Sequence, residues 1–271
     1  MTFSLRRRTR LLSHGDIDQL QCRHNAFLSE RRHLVRAFSA LRWSHRSVGV
    51  AKRPLLDRGN GERSFDFEGD MASGIHFGRI PANAVHLCVD MQRLFAEDTA
   101  WRTPWMPRVL PVVVRLCERK AERTCFTRFI PARSPGDGRG TWRRYWERWA
   151  SITLENLGEE RVELIPQLQA FTPPARVLDK AHYSPWLDTG LAAALMAGQV
   201  DTLVVTGAET DMCVLATVLG AVDLGFRVVV VSDALCSSSD QSHDALLDLY
   251  HDRFGQQIET AECDEVLEAW A

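Results

Sequence analysis

The sequence of 271 residues has no CxxC pair among its seven cysteines and no apolar run near the ~18 to 20 residues that a bilayer-crossing helix needs. Its most apolar stretch, Met212 to Val222, is bracketed by Asp211 and Asp223, so no membrane partner is expected. The scattered cysteines, at 22, 88, 117, 125, 213, 236 and 263, form no disulfide framework. They suit a reducing compartment, and the expected location is cytoplasmic. A GxxxxGK[ST] phosphate loop, a GxSxG elbow and an HExxH helix are all missing, and no histidine lies between His86 and His182. The segment GDGRG at 136–140 lacks the strand-to-helix setting of a dinucleotide loop and reads as a turn. Lysine is scarce, with 3 against 30 arginines.

The small net charge of -2 conceals a split: the first 70 residues carry +6 and the remainder -8. An acidic body gives no electrostatic support for binding nucleic acid outside those 70 residues, so no nucleic-acid partner is expected. Residues 1–78 read as a basic N-terminal extension, poorly ordered or dispensable. Its arginine clusters (Arg6, Arg7, Arg8, Arg10; Arg31, Arg32, Arg36) fit an organelle transit peptide, a surface arm, or sequence upstream of the true start near Met71. The last is favoured. An amphipathic helix over 24–43 is conceivable there, though a solvated segment suits the composition better.

From residue 84 onward, short β-branched runs alternate with helical spacing. Strands are expected at 84–90, 124–129, 176–180, 202–207, 227–233 and 257–260; helices at 107–122, 187–198, 211–224, 240–254 and 264–270, several closed by Gly198, Gly225 or Gly255. Short strands that are apolar throughout are covered on both faces. The expected fold class is therefore α/β, a three-layer α/β/α sandwich on a six-stranded parallel sheet, forming one domain over 79–271. Ligands of such sheets sit beyond the carboxyl ends of the strands.

Three of those ends carry reactive groups. Asp90 closes the first strand, Lys180 closes the third, and Cys213 opens the helix after the fourth. A thiol at a helix N-terminus is expected to ionise below its usual ~8.5. A lysine kept in so arginine-rich a chain points to chemistry that needs a compact ammonium. Singly, each has a plain reading: a packed cysteine, a helix-capping aspartate, a solvated lysine. Together, their convergence on one rim would make a nucleophile, an acid/base and a cation. Arg128, at the end of the second strand, could grip a substrate carboxylate or pair with a nearby acid. Trp142, Tyr145, Trp146 and Trp149 share one helix face, either as core or as an aromatic wall or subunit contact. Trp101, Trp146, Tyr183 and Trp186 are the aromatic pocket candidates. Ser237, Ser238, Ser239 and Asp240 read as caps for the helix beginning near Gln241.

The segment VVTGAETDMCVLAT (204–217), with VDMQRLF (89–95) and DKAHYSPW (179–186), resembles the isochorismatase-like cysteine hydrolases, a superfamily that includes nicotinamidases and N-carbamoylsarcosine amidases. The likeness spans about residues 84–268. It implies the same six-stranded sandwich, a catalytic triad of Asp90, Lys180 and Cys213, and a non-proline cis peptide between Ala208 and Glu209. It further implies acyl transfer through a Cys213 thioester. Asp90 moves the proton, Lys180 balances charge, and the backbone amides of Cys213 and Glu209 form an oxyanion hole. No cofactor is implied, and the family's members are commonly homodimers or homotetramers.

Departures narrow the expectation. Nicotinamidases place an Asp-x-His metal motif after the second strand, where this chain has Thr127, Arg128 and Phe129. No metal and no nicotinamide are therefore expected. Isochorismatases can lack the cysteine, so Cys213 favours a small amide or ureido substrate. The alternatives are a vinyl ether hydrolase or a non-catalytic binding member of the family.

Overall fold

The computed structural model describes residues 74–271. The helix considered over 24–43 and all but the last five residues of the basic extension fall in residues 1–73, outside the described residues.

The six expected strands are present: β1 (Val85–Val89), β2 (Thr124–Phe129), β3 (Arg176–Lys180), β4 (Thr202–Ala208), β5 (Arg227–Cys236) and β6 (Ile258–Ala261). They form one parallel sheet in the order β3-β2-β1-β4-β5-β6. Their side chains alternate between two cores. Cys88, Val204, Val229 and Val231 face one layer, while Leu87, Val89, Leu203, Val205, Val228 and Val230 face the other. Helices α1 (Met106–Lys120), α2 (Thr141–Arg148) and α6 (Cys263–Ala269) contribute to the first core; α3 (Leu191–Ala197), α4 (Leu215–Asp223) and α5 (Asp240–Phe254) contribute to the second. This is the three-layer α/β/α sandwich that two-sided apolar strands require.

Some boundaries differ from the sequence reading, each for a local reason. β5 runs on to Cys236, past Ser232 and Asp233, which look like a strand end. A register shift between Val205 and Gly207 lets pairing resume at Gly207 with Leu235 and Ala208 with Cys236. The carboxylate of Asp233 is absorbed by accepting a hydrogen bond from the Cys263 amide at 2.9 Å. Helix α3 begins at Leu191 rather than 187, because Gly190 takes a left-handed conformation (φ 72°) and Leu187 lies exposed. The stretch expected as one helix from 211 starts as a π-helical turn, Thr210–Val214, before α4. Of the serine run, Ser239 is the N-cap of α5, accepting from the Ser242 amide.

Two features weld the centre of the sheet. Gly207 sits opposite Val89 with φ 112°, and a Cβ there would lie 2.0 Å from the Val89 carbonyl oxygen. Only glycine permits that approach of β4 to β1. His86, fully buried on β1, bridges Thr124 Oγ1 (3.1 Å) and Thr206 Oγ1 (2.8 Å) on the flanking strands.

Two predictions follow from these contacts. Gly207→Ala is expected to cost about 3 kcal/mol or more, a fall in Tm near 10 °C, because backbone must move at the most constrained part of the sheet. Calorimetry of the variant checks this. Burial pulls the His86 pKa down from 6.5 to about 3. Below pH 6.5 the unfolded chain binds a proton that the fold refuses, so this contribution is intact above pH 6.5. It is lost toward pH 3 at up to about 1.4 kcal/mol per pH unit. Denaturant melts at pH 7 and pH 5 should show the loss, and His86→Gln should flatten it.

Candidate active site

The strand order reverses direction between β1 and β4, and the residues leaving those two strands converge. Asp90 follows β1 in a left-handed conformation (φ 50°), which aspartate tolerates better than most residues. Its Oδ1 accepts from Thr127 Oγ1 of β2 at 2.6 Å. The neighbouring Gln92 ties the strand ends together, donating to the Phe129 carbonyl and accepting from the Phe129 amide at 2.7 Å. Lys180 ends the edge strand β3, two strands away from β1. Its long chain crosses the end of β2, with Nζ 5.2 Å from the Phe129 ring centre. There it donates to Asp90 Oδ2 at 2.7 Å, to the His182 carbonyl at 3.1 Å and to Cys213 Sγ at 3.4 Å. The structure thus brings Asp90, Lys180 and Cys213 together, all of them buried.

Cys213 lies inside the π-helical turn, which the Val214 amide closes onto the Glu209 carbonyl at 3.1 Å. The Ala208–Glu209 peptide leading into the turn is cis. The turn is fastened to the segment after β5: Thr210 Oγ1 meets His243 Nδ1 at 2.8 Å, and Asp211 accepts from the hydroxyls of Ser237 and Ser242, each at 2.6 Å. The Thr217 hydroxyl donates to the Cys213 carbonyl at 2.7 Å.

The electrostatics revise one expectation. A thiol with a lowered pKa was expected from the helix N-terminus, yet burial pushes Cys213 well above its usual range. The negative charge of Asp90 adds to this, and Lys180 opposes it only in part. Burial works against the Lys180 ammonium too, but the Asp90 carboxylate and the sulfur outweigh it, and its pKa is raised. Both directions favour a neutral thiol beside a charged ammonium. A second anion beside Asp90 would leave one negative charge uncompensated in a desolvated space.

Above the sulfur opens a cavity of about 290 Å³, walled by Phe95, Trp101, Phe129, Tyr145, Trp149 and Tyr183, with Arg102, Glu209, Asp211, Met212 and Ser238 completing it. Trp101 and Tyr183, two of the aromatic candidates, line it. Trp146 does not: it is 3% exposed and lies behind the wall, against Trp101 and Phe129, while its stripe-mates Tyr145 and Trp149 reach the cavity. Trp186 is structural as well. It donates to the Thr217 carbonyl at 2.9 Å, stacks on Phe226 and lies over Gly220, where a Cβ would meet it at 2.2 Å. Arg128 also turns away. Strand alternation sends Thr127 and Phe129 toward the site and Arg128 to the other side. There it pairs with Glu163 at 2.6 Å and Asp179 at 2.7 Å, the second being its cross-strand partner. Of the two readings for Arg128, the structural pair is the one present. Periodicity could have found Tyr145 and Trp149, but nothing in the sequence marked Thr127, Phe95 or the Glu209 carboxylate. Among the described residues, no three His, Cys, Asp or Glu side chains converge as a metal-binding set.

Comparison with known proteins agrees with this architecture. A family model, the isochorismatase domain, matches residues 84–262. The chain belongs to that family. This isochorismatase-domain protein is 28% identical over 207 residues to maleamate amidohydrolase of Pseudomonas putida, covering 71% of this chain and 89% of the relative. A cysteine hydrolase structure from Pseudomonas syringae pv. phaseolicola superposes with a TM-score of 0.62 at 23% identity, covering 73% of this chain and 97% of the other. N-carbamoylsarcosine amidase of Thermoplasma acidophilum gives 0.54 at 21% identity, with 68% and 97% covered. The structures share the fold.

A neutral resting thiol predicts a definite alkylation profile. The rate at which iodoacetamide modifies Cys213, read from peptide mass, should be low at pH 6 and climb about tenfold per pH unit up to pH 8, as the thiolate fraction does below the thiol pKa. Asp90→Asn should raise it at pH 8 by removing the nearby anion. A wild-type rate already at its plateau below pH 7 would mean a resting thiolate.

Proposed function

We propose that this protein is a metal-independent cysteine hydrolase that cleaves a C–N bond, amide or ureido, of a small molecule through a Cys213 thioester. One observation carries the reading: a single buried ammonium, Lys180 Nζ, reaches both Asp90 Oδ2 (2.7 Å) and Cys213 Sγ (3.4 Å) at the floor of an aromatic cavity. The similarity to maleamate amidohydrolase supports an amide substrate.

Because the resting sulfur is a thiol, proton transfer accompanies attack. Asp90 takes the Cys213 proton as sulfur bonds to the substrate carbonyl carbon, and the anion so formed is the oxyanion rather than a free thiolate. The backbone amides of Glu209 and Cys213 are the donors proposed for it, each such donor being worth about 3 kcal/mol in other enzymes. Asp90 then passes the proton to the leaving nitrogen as the C–N bond breaks, freeing ammonia or an amine. In the second half Asp90 takes a proton from water, the hydroxyl adds to the thioester carbon, and the C–S bond breaks to release the acid. The proton on Asp90 returns to sulfur, and no charge is left over. Lys180 stays protonated throughout, neutralising whichever of Asp90 or sulfur carries the negative charge.

The expected outcomes separate this reading from its rivals. Cys213→Ala should abolish ammonia release from a panel of carboxamide and ureido compounds, and Asp90→Asn should lower kcat/KM by about 10²- to 10⁴-fold. Mass spectrometry of wild type quenched during turnover should place an acyl adduct on Cys213. Hydrolysis that persists in Cys213→Ala would point instead to the vinyl ether chemistry, which needs no thiol.

A further inference from the structure

We propose that the substrate carries a cationic, ammonium-type group, held between the aromatic wall and the Glu209 carboxylate. This rests on the cysteine-hydrolase reading of the same cavity and names the class of compound that enters it.

The floor of the cavity is electrically balanced, since Asp90 and Lys180 cancel and Cys213 is neutral at rest. The walls are not balanced. Glu209 and Asp211 both line the cavity and are partly buried, and neither forms an ion pair among the described residues. What holds them is neutral: Glu209 Oε1 accepts from the Thr103 hydroxyl at 3.3 Å and the Ser238 amide at 3.1 Å, and Asp211 accepts from two serine hydroxyls. Hydrogen bonds of this kind fix a carboxylate without discharging it. Burial is the main reason the hydroxyls of Tyr145 and Tyr183 resist ionising, and the charge of Glu209 adds the smallest contribution. The cation in the lining, Arg102, is exposed at the mouth, where water screens it.

The remaining surface is aromatic, and ring faces are the negative side of the ring quadrupole. Cations already use them here: the Arg148 guanidinium lies 5.3 Å from the Trp149 ring and Lys180 Nζ 5.2 Å from Phe129. An anionic substrate would meet two carboxylates and these ring faces, with a solvated arginine in return. An ammonium or alkylammonium group would meet attraction from both, in a space that excludes much of the screening solvent.

The test uses three primary carboxamides on the full chain. Betaine amide has a trimethylammonium group, 3,3-dimethylbutanamide is its neutral isostere, and succinamate carries a carboxylate. Ammonia release should show kcat/KM for betaine amide about tenfold or more above the neutral isostere, with succinamate lowest. Glu209→Gln, which keeps the hydrogen-bond acceptor and removes the charge, should shrink the first ratio at least threefold. A readout that does not need turnover is protection of Cys213 from iodoacetamide, in which betaine amide should protect at lower concentration than succinamate. Equal rates for the isosteric pair, or succinamate preferred in rate or in protection, would overturn the charge assignment. That result leaves the hydrolase intact so long as Cys213→Ala is inactive. Ammonia release surviving in Cys213→Ala would instead overturn the hydrolase reading.

Discussion

The rest of the site depends on one ion pair, Lys180 with Asp90 at 2.7 Å, both side chains withdrawn from water. Burying two charges costs several kcal/mol per ion before their attraction and their other hydrogen bonds offset it. The structure supplies those partners: the Thr127 hydroxyl for the Asp90 carboxylate, the His182 carbonyl for Lys180. A pair so enclosed is a weak source of stability. It is a strong source of chemistry, because it sets a local charge of zero that any new anion must disturb. Sulfur in that setting has its pKa raised, by burial first and by the Asp90 charge second.

The pair also explains why this position is lysine in a chain with so few. β2 stands between β3 and β1, so a group on Lys180 must pass over the last residue of β2 before it can touch Asp90. Four methylenes carry a compact ammonium to within 5.2 Å of the Phe129 ring centre, and it divides its donors among a carboxylate, a carbonyl and a sulfur. A planar guanidinium presents its donors as a fork suited to one carboxylate, as Arg128 shows on Asp179 nearby. The two cations at the ends of adjacent strands thus do different work because their head groups differ in shape.

Much of the fold was legible in the sequence because its signals are local. Strands buried on both faces, such as Val228 to Val231, are apolar without interruption, and glycine marks the helix ends at Gly198 and Gly225. Asp90, Lys180 and Cys213 were legible because strand ends in a parallel sheet are ranked by topology alone. What stayed hidden depends on contacts remote in sequence. The continuation of β5 past Asp233 relies on a bulge and on an acceptor role toward Cys263, and the π-helical form of the Cys213 turn relies on Glu209. The face that Arg128 presents, and the division of the aromatic stripe between core (Trp146) and cavity (Tyr145, Trp149), follow from which layer packs on which side. The thiol state of Cys213 was misjudged because a helix terminus is visible in sequence, whereas desolvation and the sign of the nearest charge are not.

Gly207 joins these levels. Its missing Cβ lets β4 approach β1 at the point where the strand order turns, and the chain then needs only a few residues on either side to produce Asp90, Glu209 and Cys213. A side chain at 207 would hold β1 and β4 apart by ångströms, and catalytic geometry fails over distances of that order. The same closeness presses the turn against the start of α5, where Thr210 and Asp211 find His243, Ser237 and Ser242. A carboxylate wall beside the cavity is a consequence of that fastening. Asp211 is held by hydroxyls and Glu209 by an amide and a hydroxyl, so the hydrogen bonds that fix the Cys213 turn also hold two cavity-lining acidic residues with no ion pair among the described residues. The position of the sulfur and the acidic lining of the cavity are in this way properties of one short segment.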